Sequence, residues 1–387
     1  MHRRRFLIHS LAHAVNDLYS GFLAPLLPLL AARHGLSLAG AGLLVTLQTL
    51  AASLSQPLWG MLSDRWRSPW YIPGGILVAG VFLSLIGVAP SVFVLVMVIL
   101  IGGLGVASFH PLGAALAAAL AGRRKGLAIA LFITAGSTGY AFGPVLISAL
   151  VGAAGLQRTW MAVFPALVMV TLWLTLGPKV RARDSMTPAL VAAEVGKDPT
   201  PPILWRAITL LSATSTVRAF VMLSFLNFLP FLLKEQGLGL GSRSLYLFTL
   251  QFGDALGNLI GGGLSDRLGR RRIMLWSPLL SIPLLAVFLH TSGPLALLPL
   301  FLAGIVLFAS APAVVVSSQK LMPGREGLAS ALQVGFAWGL AGLFMSLVGK
   351  AGEIFTIRAV LGVILGFPLL MTLFAWGLKR YGGRLEA

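Results

Sequence analysis

The chain has no cysteine among its 387 residues, and only 11 acidic residues stand against 29 lysines and arginines. The first absence excludes a disulfide framework and thiolate metal sites. Charged residues make up only 10% of the chain and hydrophobic ones 57%. Ordinary soluble domains run at about 25% charged and 45–50% apolar, so this composition excludes one and implies a polytopic membrane protein. Polar segments are scarce as well: the only long one runs from Pro178 to Pro202. No nucleophile–base set is visible, which argues against an enzyme, and nothing calls for a cofactor. The net charge of +18 fits basic loops facing an anionic leaflet better than nucleic-acid binding.

Apolar segments are what the chain has in abundance. A spanning helix needs about 20 mostly apolar residues. That rule predicts twelve spans, near 7–31, 39–62, 70–89, 92–120, 126–153, 159–177, 204–233, 241–264, 273–290, 295–319, 327–350 and 357–378. The first follows Arg3-Arg4-Arg5 and runs through Ala31 without a small-residue cleavage site, so it reads as a span rather than a signal peptide. With the N-terminus inside, 22 lysines and arginines fall in cytoplasmic segments and six outside (Arg33, Arg158, Lys234, Arg243, Lys350, Arg358). Arg218 lies within a span. This asymmetry predicts an inner-membrane protein with both termini cytoplasmic.

A repeat divides the sequence. Gly60-Met61-Leu62-Ser63-Asp64-Arg65 returns 202 positions later as Gly262-Gly263-Leu264-Ser265-Asp266-Arg267. Pro28 and Pro230, then Gly35-Leu36 and Gly237-Leu238, keep the same offset. Pro111 and Pro312, then Gly126-Leu127-Ala128 and Gly327-Leu328-Ala329, hold an offset of 201. The expected organisation is therefore a six-helix bundle over 1–177, a cytoplasmic linker over 178–203 and a second bundle over 204–387. Two six-span units of equal orientation are parallel repeats, with an axis along the membrane normal.

On these residues the chain resembles the major facilitator superfamily. Gly262 to Arg271 fits that family's signature Gly-x-Leu-x-Asp-Arg-x-Gly-Arg-Arg/Lys fully, whereas the first copy departs after Arg65, at Trp66-Arg67-Ser68-Pro69. Gly139-x-x-x-Gly143-Pro144 resembles the core of the family's antiporter motif in span five, a helix-packing element. The arginine that many proton-coupled exporters carry in span four is absent, with Ile99 near its place. A narrower resemblance, to the fosmidomycin-resistance group of efflux proteins, is carried by His13-Ala14-Val15-Asn16-Asp17, Ser53-Leu54-Ser55-Gln56-Pro57, Phe109-His110-Pro111, Leu321-Met322-Pro323-Gly324-Arg325 and Gly335-Phe336-Ala337-Trp338-Gly339. It implies export of small, often anionic compounds by alternating access, coupled to protons, by a monomer. An importer or facilitator of a small organic anion, and more remotely a non-transporting receptor or scramblase, remain the alternatives.

Ionisable residues inside spans are costly in hydrocarbon and point to a cavity or a partner. Asp17, Arg218 and Asp254 each lie 12 residues from a cytoplasmic helix end, and His110 lies 13 from one. That is about 18 Å at 1.5 Å per residue, near the middle of a ~30 Å core. Together they suggest a midplane site between the halves. Arg218 would neutralise an anion, Asp17 would carry the coupled proton and His110 would relay it. Asn16, Gln48, Gln251 and Asn258 would line the cavity. The plainer readings are a buried Asp17–Arg218 pair, a His110 bond to a carbonyl freed by Pro111, and Asp254 packed beside Gly253 and Gly257. His9 and His13 share metal-pair spacing but lack further ligands, so no metal is expected. Asp64, Arg65, Asp266, Arg267 and Arg271 would form a cytoplasmic gate, or simply end helices and fix topology. Gly261-Gly262-Gly263 reads as close helix packing.

Overall fold

The computed structural model describes residues 3–66, 68–120, 125–178, 203–323 and 325–381, and every regular element in them is helical. The linker expected over 178–203 falls almost wholly outside them, as does Arg67. The first half comprises α1 (Arg3–His34), α2 (Leu38–Ser63), α3 (Tyr71–Val88), α4 (Val92–Ala117), α5 (Ala128–Ala154) and α6 (Leu156–Leu176). The second comprises α7 (Trp205–Glu235), α8 (Leu240–Leu268), α9 (Arg270–His290), α10 (Gly293–Leu321), α11 (Glu326–Ile354) and α12 (Ile357–Tyr381). Eleven of these are long and apolar enough to cross a membrane. The remaining helix, α8, is 29 residues long, about 44 Å, which exceeds a ~30 Å core. Its lower apolarity comes from Arg243, Gln251, Asp254, Asn258, Asp266 and Arg267, and it is walled in by α5 and α10. The architecture is twelve transmembrane helices in two bundles.

Burial is highest in α7 and α1, although α5, which packs on α1 and α8, has only 33% of its most apolar window buried. In the most apolar window of α7, 83% of residues are buried, and 67% in α1, against 28% in α6 and 33% in α12. The last two therefore show most of their surface to lipid.

The sequence repeat is a structural repeat. Gly35 and Gly237 both take left-handed φ, 63° and 80°. In each case the following leucine N–H reaches back to the last turn, Leu36 to the Ala31 carbonyl and Leu238 to the Leu233 carbonyl. This is the glycine stop of a Schellman motif, which a β-carbon would strain. Gly60 faces Pro111 and Gly262 faces Pro312. Ser63 and Ser265 each donate to the carbonyl three residues back, at 2.8 Å. Of the three consecutive glycines, only Gly261 meets a helix backbone, at the Ala309 carbonyl. Two of the arginines on the far side from the Asp-Arg turns have a local task as well: Arg33 donates to the Gly87 carbonyl at the end of α3, and Arg358 to the Leu289 carbonyl at the end of α9. A cation at a helix C-terminus is favoured by the dipole.

The halves meet along α5–α8, α2–α11 and α1–α7. Hydrogen bonds between them cluster at the end away from the Asp-Arg turns. The Ala39 N–H donates to Glu353 at 2.8 Å, Thr46 to the Gly342 carbonyl at 2.7 Å, and Ser346 to the Ala39 carbonyl at 3.2 Å. Ser148 and Ser244 share a bond at 2.5 Å. Gly42 and Gly349 let α2 and α11 touch backbone to backbone, against the Met345 and Leu38 carbonyls.

Because the chain lacks cysteine, Ser148→Cys with Ser244→Cys is a clean probe of this contact. If the chain works by the alternating access that its resemblance implies, that end must open, and oxidation should link α5 to α8 and reduce transport by at least about tenfold, with recovery on reduction. Cross-linking without loss of transport would show that it stays closed throughout the cycle.

Candidate functional site

Two polar clusters form inside the bundles, one in each half. In the first, His9, His13 and Asp17 follow one another at four-residue spacing on α1 and so line one face. His9 donates to, or is oriented by, the Gly113 carbonyl of α4 at 2.7 Å, and stacks on Phe132 of α5 with ring centroids 4.8 Å apart. His13 bonds the Phe132 carbonyl through Nδ1 at 2.8 Å and stacks on the same ring at 4.1 Å. Its Nε2 lies 3.2 Å from Asp17 Oδ2, and His110 Nε2 of α4 lies 3.4 Å from Asp17 Oδ1. Asn16 donates to Asp17 Oδ1 at 3.1 Å and to the Val106 carbonyl at 3.4 Å. His110 is thus engaged with Asp17 rather than with a carbonyl freed by Pro111.

Glycines make this approach possible. A β-carbon at Gly139 would strike the Ala14 carbonyl, and one at Gly143 the Leu18 carbonyl. The antiporter-like motif therefore seats α5 directly on the stretch of α1 that carries Asn16 and Asp17, as small-residue packing does in membranes.

In the second cluster Arg218 of α7 is 4% exposed. One arm donates to Ser215 Oγ at 3.2 Å, the other arm, Nη1, has no hydrogen-bond partner, and the guanidinium carbon lies 5.6 Å from the Phe308 ring centroid. Ser215 donates to Gln333 of α11 at 2.9 Å, and Gln333 donates to Ser212 at 3.0 Å. Asp254 of α8 is 6% exposed. It accepts from Asn258 and is the acidic group whose charge bears on Arg218, without an ion pair between them. Tyr140 of α5 lies within electrostatic reach of both Asp254 and Asp17.

The four ionisable residues expected at one level are thus two pairs, Asp17 with His110 and Arg218 beside Asp254. The plainer reading of a buried Asp17–Arg218 bridge is corrected: Asp17 is taken by Asn16, His13 and His110 of its own half. Asp254 does sit between Gly253 and Gly257, but those glycines face the Phe301 and Ile305 carbonyls of α10. Gln48 donates to the Ser20 carbonyl at 3.3 Å and so ties α2 to α1, while both polar side-chain atoms of the buried Gln251 lack partners. At the Asp-Arg turns, Asp266 near the end of α8 pairs with Arg270 at the start of α9 at 3.7 Å, across the Gly269 turn. No side-chain cap starts α9, and the Asp64 side chain lies outside the described positions. Sequence reading missed His13, Tyr140, Ser215 and Gln333. The four-residue step from His13 to Asp17 could have revealed the first. Gln333 lies 118 positions from Ser215, and no local signal joins them.

The model of the Major Facilitator Superfamily matches residues 10–346. The chain belongs to this superfamily. It is 28% identical over 373 residues to the fosmidomycin resistance protein of Escherichia coli (strain K12), covering 94% of this chain and 91% of that protein. It is 29% identical over 301 residues to the 3-(3-hydroxy-phenyl)propionate transporter of the same organism, covering 73% and 71%. Among solved structures, a bacterial homolog of the human lysosomal transporter Spinster, in an inward-facing and unoccupied conformation, superposes with a TM-score of 0.75 at 16% identity, over 98% of this chain and 97% of that one. The molecule is a transporter of this superfamily, whose members act on small molecules within the membrane.

Gln333→Leu should leave Ser212 and Ser215 without their partner and cost about 1–3 kcal/mol. A thermal melt of the purified protein should show a midpoint lower by several degrees, with Gln333→Glu closer to wild type. An unchanged midpoint would mean that the serines re-pair locally.

Proposed function

We propose that the chain is a proton-coupled exporter of small organic anions in the inner membrane, working as a monomer by alternating access with both termini in the cytoplasm. The observation that carries this reading is the unpartnered arm of Arg218 beside the separate carboxyl of Asp254. A guanidinium grips a carboxylate or phosphonate through two parallel bonds, and Phe308 gives the cargo an apolar wall. Asp254 and a bound anion are alternative neutralisers of one buried cation. Proton uptake by Asp254 would leave Arg218 to the anion, and loss of that proton would favour the anion's departure. In this reading the coupling role expected of Asp17 passes to Asp254, because both Asp17 oxygens are already engaged. Asn258, Gln251 and Tyr140 would border the path. The resemblance to a protein named for fosmidomycin resistance supports an export, drug-resistance role, and the likeness to a phenylpropionate transporter supports an anionic cargo.

The two bundles would rock against each other, parting the glycine contacts of α2 and α11 as that end opens, with Asp64, Arg65, Asp266, Arg267 and Arg271 gating the cytoplasmic end. The same clamp would serve an importer of the opposite direction.

Proteoliposomes with an imposed pH gradient, screened with phosphonates and aromatic or aliphatic acids, test the reading. Arg218→Lys should weaken anion binding by at least about tenfold, because a single ammonium cannot replace two parallel bonds. Asp254→Asn should retain binding and exchange but lose gradient-driven accumulation. Full proton-coupled transport by Asp254→Asn would remove that residue from the mechanism. Uphill uptake in right-side-out vesicles would replace export with import.

A further inference from the structure

The cluster of His13, Asp17 and His110 has a feature that transport of an anion does not use. The Phe132 carbonyl can only accept, so His13 Nδ1 carries a hydrogen and donates it. In the neutral ring Nε2 then bears a lone pair, and that lone pair points at Asp17 Oδ2 from 3.2 Å. Two lone pairs cannot rest at that distance in a buried site unless a cation lies with them. A proton is one such cation. The remaining geometry points to a larger one.

We propose that His13 Nε2, Asp17 and His110 Nε2 form a binding site for a divalent transition-metal ion of the zinc, cobalt and nickel class. The three donor atoms lie within 4.8 Å of one another, on α1 and α4. A tetrahedral ion with bonds of about 2.0–2.1 Å sets neighbouring ligand atoms about 3.3–3.4 Å apart. His13 Nε2 lies 3.2 Å from Asp17 Oδ2 and His110 Nε2 lies 3.4 Å from Oδ1, so each imidazole meets its own oxygen at about that spacing and the carboxylate would present both oxygens to the ion. Two imidazoles and a carboxylate suit these ions, whereas calcium and magnesium take oxygen ligands. The bond from Nδ1 to a backbone carbonyl is the outer contact that fixes the tautomer and aim of a metal-binding histidine, and the Phe109 and Phe132 rings hold His13 from both sides.

A β-carbon on Gly136 of α5 would lie 2.5 Å from His13 Nε2 and 2.8 Å from Asp17 Oδ2, so only glycine lets the α5 backbone close over the pair. His110 and Asp17 side chains retain 25% and 17% of their exposure, against 8% for His13. The site is therefore reached past His110 and Asp17. Three protein ligands leave a further coordination position for water or an anionic oxygen. The proposal does not rest on the transport reading, because the coupled proton there belongs to Asp254 in the other half.

The test uses full-length protein in detergent with any polyhistidine tag removed, titrated with CoCl2 and followed by the visible absorption of tetrahedral cobalt. One ion per chain is expected, displaced by ZnCl2. His110→Asn and Asp17→Asn should each bind at least about tenfold more weakly, while His290→Gln, an exposed histidine remote from the cluster, should bind as wild type. ZnCl2 should also raise the thermal midpoint of wild type and not of His110→Asn, since a ligand that binds only the folded state stabilises it. This second readout separates loss of the site from loss of the fold. Absence of stoichiometric binding, or equal affinity in His110→Asn, would overturn the proposal and leave the cluster as a proton-bridged pair. Neither readout involves transport, so failure here leaves the export reading standing, and failure of export leaves this site standing.

Discussion

The structure depends on backbone-to-backbone contact at glycine. In lipid there is little hydrophobic drive to bring apolar helices together, and association relies on close packing of small residues. Gly139 and Gly143 seat α5 on α1, Gly253, Gly257 and Gly261 seat α8 on α10, and Gly42 and Gly349 seat α2 and α11 across the two halves. Asp17 and Asp254 lie on stretches of α1 and α8 held by these contacts. His13 reaches the Phe132 carbonyl because Gly139 has already drawn α5 onto Ala14. Gly253 and Gly257 take the side of α8 that meets α10, while Asp254 lies within electrostatic reach of Arg218.

These contacts come with a price in buried polarity, which the two halves settle differently. The first half gathers a carboxylate, two imidazoles and an amide into one set, each within reach of another, with only the Asn16 carbonyl oxygen left over. In the second, Arg218 keeps one arm without a partner and Gln251 has none at all. A buried unsatisfied cation is a costly arrangement, and its persistence is the physical basis for reading it as a place prepared for an anion. The duplication therefore preserved the scaffold while the chemistry diverged. Glycine stops, proline positions and serine back-bonds match between the copies, whereas the ionisable residues at the centre do not.

The ends of the molecule are also unlike. At one end the halves are joined through Ala39, Glu353, Thr46, Ser346, Ser148 and Ser244, short polar bonds backed by glycine contacts. At the other lie the basic turns, where Asp266 at the end of α8 pairs with Arg270 at the start of α9. In the alternating-access reading proposed above, closure of one end must be exchangeable for closure of the other.

Twelve helices, two halves and the family were legible in the sequence, because span length and a motif repeated at constant offset are local properties written in consecutive residues. Even the polar helix α8 was legible, by its place in the repeat. Helical placement was legible too, since Asp17, His110, Arg218 and Asp254 all lie in the interiors of helices α1, α4, α7 and α8. What placement could not give was azimuth. Which of these residues face one another depends on helix rotation and on neighbours 90 to 120 positions away, as with Asn16 and Val106, Asp17 and His110, or Ser215 and Gln333. The tertiary structure alone decided that Asp17 belongs with His13 and His110, that Arg218 stands apart from it, and that each half has its own polar centre. The reason is that helix rotation in a membrane is set by the sum of small-residue contacts along several partners at once, and no single stretch of sequence contains that sum.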